Sequence, residues 1–120
     1  MNIKWGTFTR PDGSVYRQVE VSPESDWKLF DCLATKLAGR LAGKWCERLD
    51  GLDQRYWDLQ RDSAKITLHL EHYLGITVYP TDGANASPSS LSLLESAYEL
   101  LANYDPPNHA MQTDRPSADR

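Results

Sequence analysis

The stretch from residue 66 to residue 80 decides the fold, and it reads ITLHLEHYLGITVYP. Every second residue is apolar from Ile66 to Leu70, and the same alternation returns at Ile76 and Val78. This period of two is typical of antiparallel strands that bury one face and expose the other. Gly75 lies in the short connection between the two runs, and a parallel pair would need a much longer crossover. The stretch therefore predicts two antiparallel neighbours in a meander.

The same alternation extends outward on both sides of this stretch. Turn residues separate the runs, including the sequence PDGS at 11–14 and the pair Asp50-Gly51. Short connections of this kind join strands that are neighbours in a sheet. The sequence predicts strands at 2–9, 14–21, 44–49, 54–61, 64–71 and 75–80.

Two amphipathic helices complete the pattern. For the first, Ser22 is the predicted N-cap and Pro23 suits the first helical position. Its apolar residues recur at spacings of three and four, at Trp27, Phe30, Leu33, Leu37 and Leu41. The second helix is predicted at about 88–103, with Ser87 or Ser90 as its cap. Its predicted apolar side consists of Leu91, Leu94, Ala97, Tyr98 and Leu101, widened by Leu93, Leu100 and Tyr104.

The order of elements is then ββαββββα, which predicts an α+β two-layer sandwich. Both helices would pack on one face of a mainly antiparallel sheet of about six strands. One sequence does not fix the order of those strands in the sheet. Residues 1–105 form the predicted domain, and the polar composition of 106–120 predicts a flexible C-terminal tail.

Composition narrows the class of protein. Apolar residues are 40% of the 120-residue chain and charged residues 25%, which is the balance of a globular domain. The formal charge of −4 argues against a nucleic-acid binder, which needs clustered Lys and Arg. No apolar run is long enough for a membrane span, and the polar start is not a signal peptide. We therefore expect a cytoplasmic protein, in which Cys32 and Cys46 are buried, reduced thiols.

If the helices cover one face, alternation assigns the residues of the other. An open face of this kind is normally a solvated surface, but several of these side chains are tyrosines. Tyrosine combines a large apolar ring with a polar tip and is enriched where proteins recognise one another. The residues predicted on the open face are Tyr16, Gln18, Glu20, Tyr56, Asp58, Thr67, His69, Glu71, Thr77 and Tyr79.

One cluster suggests catalysis, at His69, Glu71 and His72. Two histidines three apart share a face on a helix but point to opposite faces on a strand. Because the alternation favours a strand, we expect no metal and no cofactor here. The motifs of serine hydrolases and nucleotide-binding enzymes do not occur in the chain, and the sequence predicts a protein that is not an enzyme.

Two segments carry a resemblance, WCERLDGLDQRYWDL at 45–59 and the stretch 66–80. They resemble small proteobacterial proteins, and the chain is similar in size and organisation to immunity proteins of bacterial polymorphic toxin systems. Such proteins are compact cytosolic α+β domains that bind a cognate toxin and block or distort its active site. The resemblance implies a protein-binding role and does not name the toxin.

The sequence therefore predicts a cytosolic immunity protein whose partner is a basic toxin domain, with neither nucleic acid nor membrane as partner. Acidic side chains would pair with Lys or Arg of the toxin, and Tyr56 would be the anchor. Two alternatives remain open: a small metal-assisted hydrolase built on His69, Glu71 and His72, and a homodimeric structural subunit. The predicted partner-binding residues are Asp50, Asp53, Tyr56, Asp58, His69 and Glu71.

Overall fold

Two helices pack on one face of an antiparallel sheet in the computed structural model, which describes residues 1–107. The order ββαββββα and the α+β two-layer sandwich predicted from the sequence are confirmed over these residues. A short 3₁₀ helix, Gly83–Asn85, precedes the second long helix. The strands are β1 (Lys4–Thr9), β2 (Val15–Ser22), β3 (Lys44–Asp50), β4 (Gln54–Arg61), β5 (Ala64–Glu71) and β6 (Gly75–Pro80), and the helices are α1 (Trp27–Leu41) and α2 (Pro88–Ala102).

The sheet runs in the order β1-β2-β6-β5-β4-β3. Strands β3 to β6 form the meander that the short connections predict, and β1 with β2 forms an N-terminal hairpin. The two units meet where β2 pairs with β6, at Val19 with Val78, Glu20 with Thr77 and Ser22 with Ile76. This pairing places β1 and β3 at the two edges.

One hydrophobic core lies between the sheet and the helices. The inward positions of the strands alternate as the sequence predicts, so that Leu59, Leu68 and Val78 are fully or almost fully buried. Helix α2 crosses β5 and β6, and α1 packs beside it against β5. Apolar burial of this kind is the main stabilising contribution in a domain of this size.

The first helix begins later than the sequence predicts. Ser22 is the last residue of β2, and its hydroxyl accepts from the backbone N–H of Glu24 within the turn that follows. The N-cap is instead Asp26, whose carboxylate accepts from the backbone N–H of Leu29 at 3.0 Å. The prediction of Ser22 was wrong because β2 continues through a bulge to pair with β6.

Four burial predictions also fail. Trp27 is 37% exposed at the first turn of α1, and Leu91 is 44% exposed on α2. On α2 the small Ser90 takes the inward position, where its hydroxyl accepts from the backbone N–H of Lys65 at 3.0 Å, so Leu91 is rotated outward. Both cysteines are free thiols, but Cys32 is only half-buried, and Cys46 is exposed because it lies at a bulge on the edge strand β3.

The C-terminal tail predicted at 106–120 lies largely outside the described residues, which end at Pro107. No helix within residues 1–107 is long and apolar enough to cross a membrane.

Candidate functional site

A row of five aromatic rings crosses the sheet face that the helices leave open, and each of five neighbouring strands supplies one ring. The centroid distances along the row are 5.5, 5.6, 5.8 and 4.2 Å. The first three distances fall within the range at which aromatic pairs attract one another, and the shortest belongs to a stacked pair. We call this set the aromatic row; in spatial order it consists of Phe8, Tyr16, Tyr79, His69 and Tyr56.

Strand register explains why these rings meet. Phe8 is directly opposite Tyr16 in the N-terminal hairpin, and Tyr56 is directly opposite His69 in the meander. Side chains at directly opposite positions of an antiparallel pair lie close enough to pack. Tyr79 on β6 joins the two pairs, because β6 is the strand on which the hairpin and the meander meet.

Sequence reasoning places four of the five rings on the open face, and the structure confirms that assignment. Phe8 was missed. The sequence did contain a signal for Phe8, because a hairpin that turns at residues 10–14 pairs Phe8 with Tyr16. Two residues paired in this way lie on the same face of the sheet.

His69 is an enclosed ionisable side chain of the row, with a side chain only 14% exposed. Its ring lies between the face of Tyr56 and the edge of Tyr79, and its Nε2 has no hydrogen-bond partner among the described residues. The nearest charged group is the Glu71 carboxylate, 3.7 Å from Nε2. Burial lowers the pKa of His69 below its ordinary 6.5, and Glu71 offsets this only in part. His69 is therefore neutral at pH 7.

The phenols of Tyr79 and Tyr56 stay protonated. Burial is the largest cause that raises the pKa of Tyr79, and neighbouring Tyr16 and Tyr56 act in the same direction. Burial and the Glu71 carboxylate raise the pKa of Tyr56, whose hydroxyl donates to Gln54 at 2.8 Å. A phenol held neutral in this way is a hydrogen-bond donor and a packing surface, and it is not a nucleophile.

A concavity of about 910 Å³ opens beside the row. All five rings of the row form part of its lining. Two carboxylates also line it, those of Glu20 on β2 and Glu71 on β5, and its apolar wall includes Ile3, Pro23 and Leu74. A mainly apolar hollow with a few polar groups is the usual form of a binding site.

The six partner-binding residues predicted from the sequence do not all lie together. Tyr56, His69 and Glu71 line the concavity, and Asp58 lies beside them on the open face. The carboxylate of Asp58 accepts from the hydroxyl of Thr67 at 2.7 Å, so it is engaged within the sheet.

Asp50 and Asp53 lie elsewhere. Asp50 is on the helix side of the sheet, where its Oδ1 accepts from Trp57 at 2.8 Å and from Arg55 at 3.0 Å. These two hydrogen bonds lower the pKa of Asp50. Asp53 is exposed in the β3–β4 turn, where its carbonyl accepts from the backbone N–H of His72. The structure therefore does not bring these two carboxylates to the open face.

Arg55 forms a second ordered cluster, which sequence reasoning missed. Its side chain is 10% exposed and its guanidinium lies over the rings of Trp27, Phe30 and Trp57 at 4.9, 4.6 and 4.5 Å. It also pairs with Asp31 of α1 at 2.9 Å. Arg55, Trp57 and Leu59 are alternate residues of β4, so their side chains point to the same face of the sheet. This alternation could have predicted that the cation faces the helices. The ion pair and the ring contacts of Arg55 therefore hold α1 against the sheet.

The histidine pair does not form a metal centre in the described part of the chain. His69 belongs to the row, whereas His72 lies exposed in the β5–β6 turn with its ring against Tyr73. Within residues 1–107 no group of three or more His, Cys, Asp or Glu side chains is placed to hold a metal ion.

A family model matches residues 14–97, from the start of β2 to within α2. This match covers more than half of the chain. The chain belongs to the family DUF3630. That family is described as proteins of unknown function, and searches of curated proteins and of solved structures found no match. The DUF3630 match includes Tyr16, Tyr56, His69 and Tyr79, while Phe8 lies on β1 outside it.

Proposed function

We propose that this DUF3630 protein is a protein-binding domain that contacts its partner through the open sheet face. The aromatic row carries the proposal, because it presents rings from five adjacent strands on a face that neither helix covers. Aromatic residues are the commonest anchors of protein interfaces, since they bury a large area with little loss of side-chain entropy.

Within this class we propose an immunity protein that binds and neutralises a toxin. The similarity of the chain in size and organisation to such proteins supports the choice, and so does the net charge of −4, which favours encounter with a basic toxin domain. A complex of this kind would bury about 1,600 Å² in total.

The test co-expresses the protein with the product of an adjacent toxin-like gene and measures growth and complex formation. We expect growth rescue and a stoichiometric complex on size-exclusion chromatography. Tyr56→Ala should weaken the complex by about tenfold or more, since truncating a central aromatic anchor costs about 2 kcal/mol. The matched control is Leu91→Ala, which removes an exposed apolar side chain on the helix side.

The possible outcomes test the use of the open face and the immunity role separately. A complex that Leu91→Ala weakens and Tyr56→Ala does not would overturn the assignment of the open face. Absence of both complex and growth rescue with the adjacent gene product would overturn the immunity role.

A further inference from the structure

The concavity beside the aromatic row is lined by two carboxylates, Glu20 and Glu71, and by two cations, Lys4 and Arg10. Lys4 lies 3.6 Å from Glu20, but its side chain is 78% exposed, and such surface pairs are weak. Among the described residues no Lys or Arg forms an ion pair with Glu71, and the ring of His69, 3.7 Å away, is neutral at pH 7. The carboxylate of Glu71 therefore contributes a negative charge that its own surroundings do not neutralise.

The rings add a second attraction for a cation. The face of an aromatic ring carries partial negative charge and attracts guanidinium and ammonium groups. The protein itself uses this contact on the open face, where the guanidinium of Arg10 lies over the ring of Tyr16 at 5.4 Å. It uses the same contact on the helix side, where Arg17 lies over Trp5 at 3.8 Å.

These two features occur together at one end of the concavity. Glu71 is two residues after His69 on β5, and both residues are on the same face of the strand. His69 stacks on Tyr56 with 18° between the ring planes, and Tyr79 meets its edge at 90°. A planar cation entering here would lie against aromatic rings with a carboxylate within reach.

Arginine fits this arrangement better than lysine. Its planar guanidinium stacks on aromatic rings and also forms two parallel hydrogen bonds to one carboxylate, whereas the ammonium of lysine acts as a point charge. We infer that the concavity receives an arginine side chain of the partner protein, with its guanidinium paired to Glu71 and packed against the rings of Tyr56, His69 and Tyr79. This inference rests on the proposed function, because it names the group that the open face recognises.

The test uses a small probe, so it does not depend on knowing the partner. Nα-acetyl-arginine amide is titrated into the ¹⁵N-labelled protein, and the chemical shifts of the backbone amides are followed. We expect saturable shifts centred on His69, Glu71 and Thr77, and about tenfold weaker binding for the uncharged citrulline analogue, since a charge-assisted pair is lost.

Two matched variants locate the carboxylate. Glu71→Gln should weaken probe binding by about tenfold. Glu47→Gln removes the same charge from the same sheet face, opposite Asp58 on the edge strand, and should leave binding unchanged. Equal binding of the arginine and citrulline probes, equal effects of the two variants, or no saturable shift would each overturn the inference.

Failure of the inference is distinguishable from failure of the proposed function. If the partner complex forms and Tyr56→Ala weakens it while Glu71→Gln does not, the open face binds a partner without the arginine contact. If the arginine probe binds but no protein complex forms, the concavity recognises a free guanidinium compound, and the commitment to a partner protein is wrong.

Discussion

The ring of His69 lies flat against the ring of Tyr56, with centroids 4.2 Å apart and 18° between their planes. The two residues are directly opposite each other on β5 and β4, so the stacking follows from strand register. This contact removes much of the water around the imidazole. As a result, the protonation of His69 is linked to the stability of the fold.

The first prediction concerns pH. The pKa of His69 is lower in the folded protein than its ordinary 6.5, so between those two values the unfolded chain binds more protons than the folded one. The contribution of His69 to stability is therefore complete above pH 6.5 and is lost as the pH falls through that window. Glu71, Tyr56 and Tyr79 are the ionisable groups around it, and only Glu71 favours the protonated ring.

The measurement is the free energy of unfolding from urea titrations at pH 7.5 and pH 5. His69→Gln should reduce the loss of stability between the two pH values. The matched control is His72→Gln, which removes an imidazole from the exposed β5–β6 turn. Equal pH dependence in the two variants would contradict the account.

The second prediction concerns the Arg55 cluster. Arg55→Met keeps much of the side-chain volume but removes the ion pairs to Asp31 and Asp50 and the contact with three rings. We expect a loss of about 2 kcal/mol in the free energy of unfolding, because the hydrogen bonds from the buried guanidinium to the exposed carboxylates of Asp50 and Asp31 are lost together.

Arg48→Met is the matched control for this cluster. Arg48 lies over the same Trp57 ring at 4.6 Å, from an exposed position on the edge strand. Its replacement should cost under about 1 kcal/mol. Equal losses of the free energy of unfolding in chemical denaturation would show that ring contact, and not the ion pairs of Arg55, carries the stabilisation.

The third prediction separates backbone strain from steric overlap at two glycines. Gly13 and Gly75 both have φ values in the left-handed region, +89° and +84°. A Cβ at Gly13 meets nothing within 4 Å, whereas a Cβ at Gly75 would overlap the carbonyl of Ser22. Gly13→Ala should cost about 1 kcal/mol from strain alone.

Gly75→Ala should cost at least twice as much, because the β5–β6 turn must move away from the end of β2. Thermal unfolding of both variants measures the difference. Similar costs at the two positions would mean that the turn and β2 are not packed as closely as the structure has them.

The fourth prediction tests where α1 begins. Asp26→Ala removes the carboxylate that accepts from Leu29 and should lower the free energy of unfolding by about 1 kcal/mol. Ser22→Ala should cost less, because its hydroxyl bonds within an exposed turn and caps no helix. If Ser22→Ala lowers the free energy of unfolding more than Asp26→Ala does in urea titrations, Ser22 and not Asp26 is the N-cap of α1.

Local patterns predicted much of this fold, because strand alternation depends on neighbouring residues. The face occupied by Tyr16, Tyr56, His69 and Tyr79 follows from parity alone. Their continuity across the sheet does not, since Tyr16 meets Tyr79 only because β2 pairs with β6, far away in the sequence. No period in the sequence specifies that pairing.

Asp50 shows a second case in which strand alternation alone does not predict the face of a side chain. Trp45 faces the helices, and uninterrupted alternation would place Asp50 on the opposite side of β3. The bulge between Trp45 and Glu47 shifts the register by one residue and turns Asp50 toward Arg55 and Trp57. A one-residue bulge on an edge strand leaves no clear signal in composition, so this carboxylate was predicted to be available for a partner.

The pairing of β2 with β6 has a consequence for dynamics. The aromatic row crosses this seam, with Phe8 and Tyr16 on the hairpin side and Tyr79, His69 and Tyr56 on the meander side. A partner that contacts both ends of the row would hold the hairpin and the meander together across this pairing. Its binding would therefore slow amide hydrogen exchange at Val19 and Val78, although neither residue touches the partner.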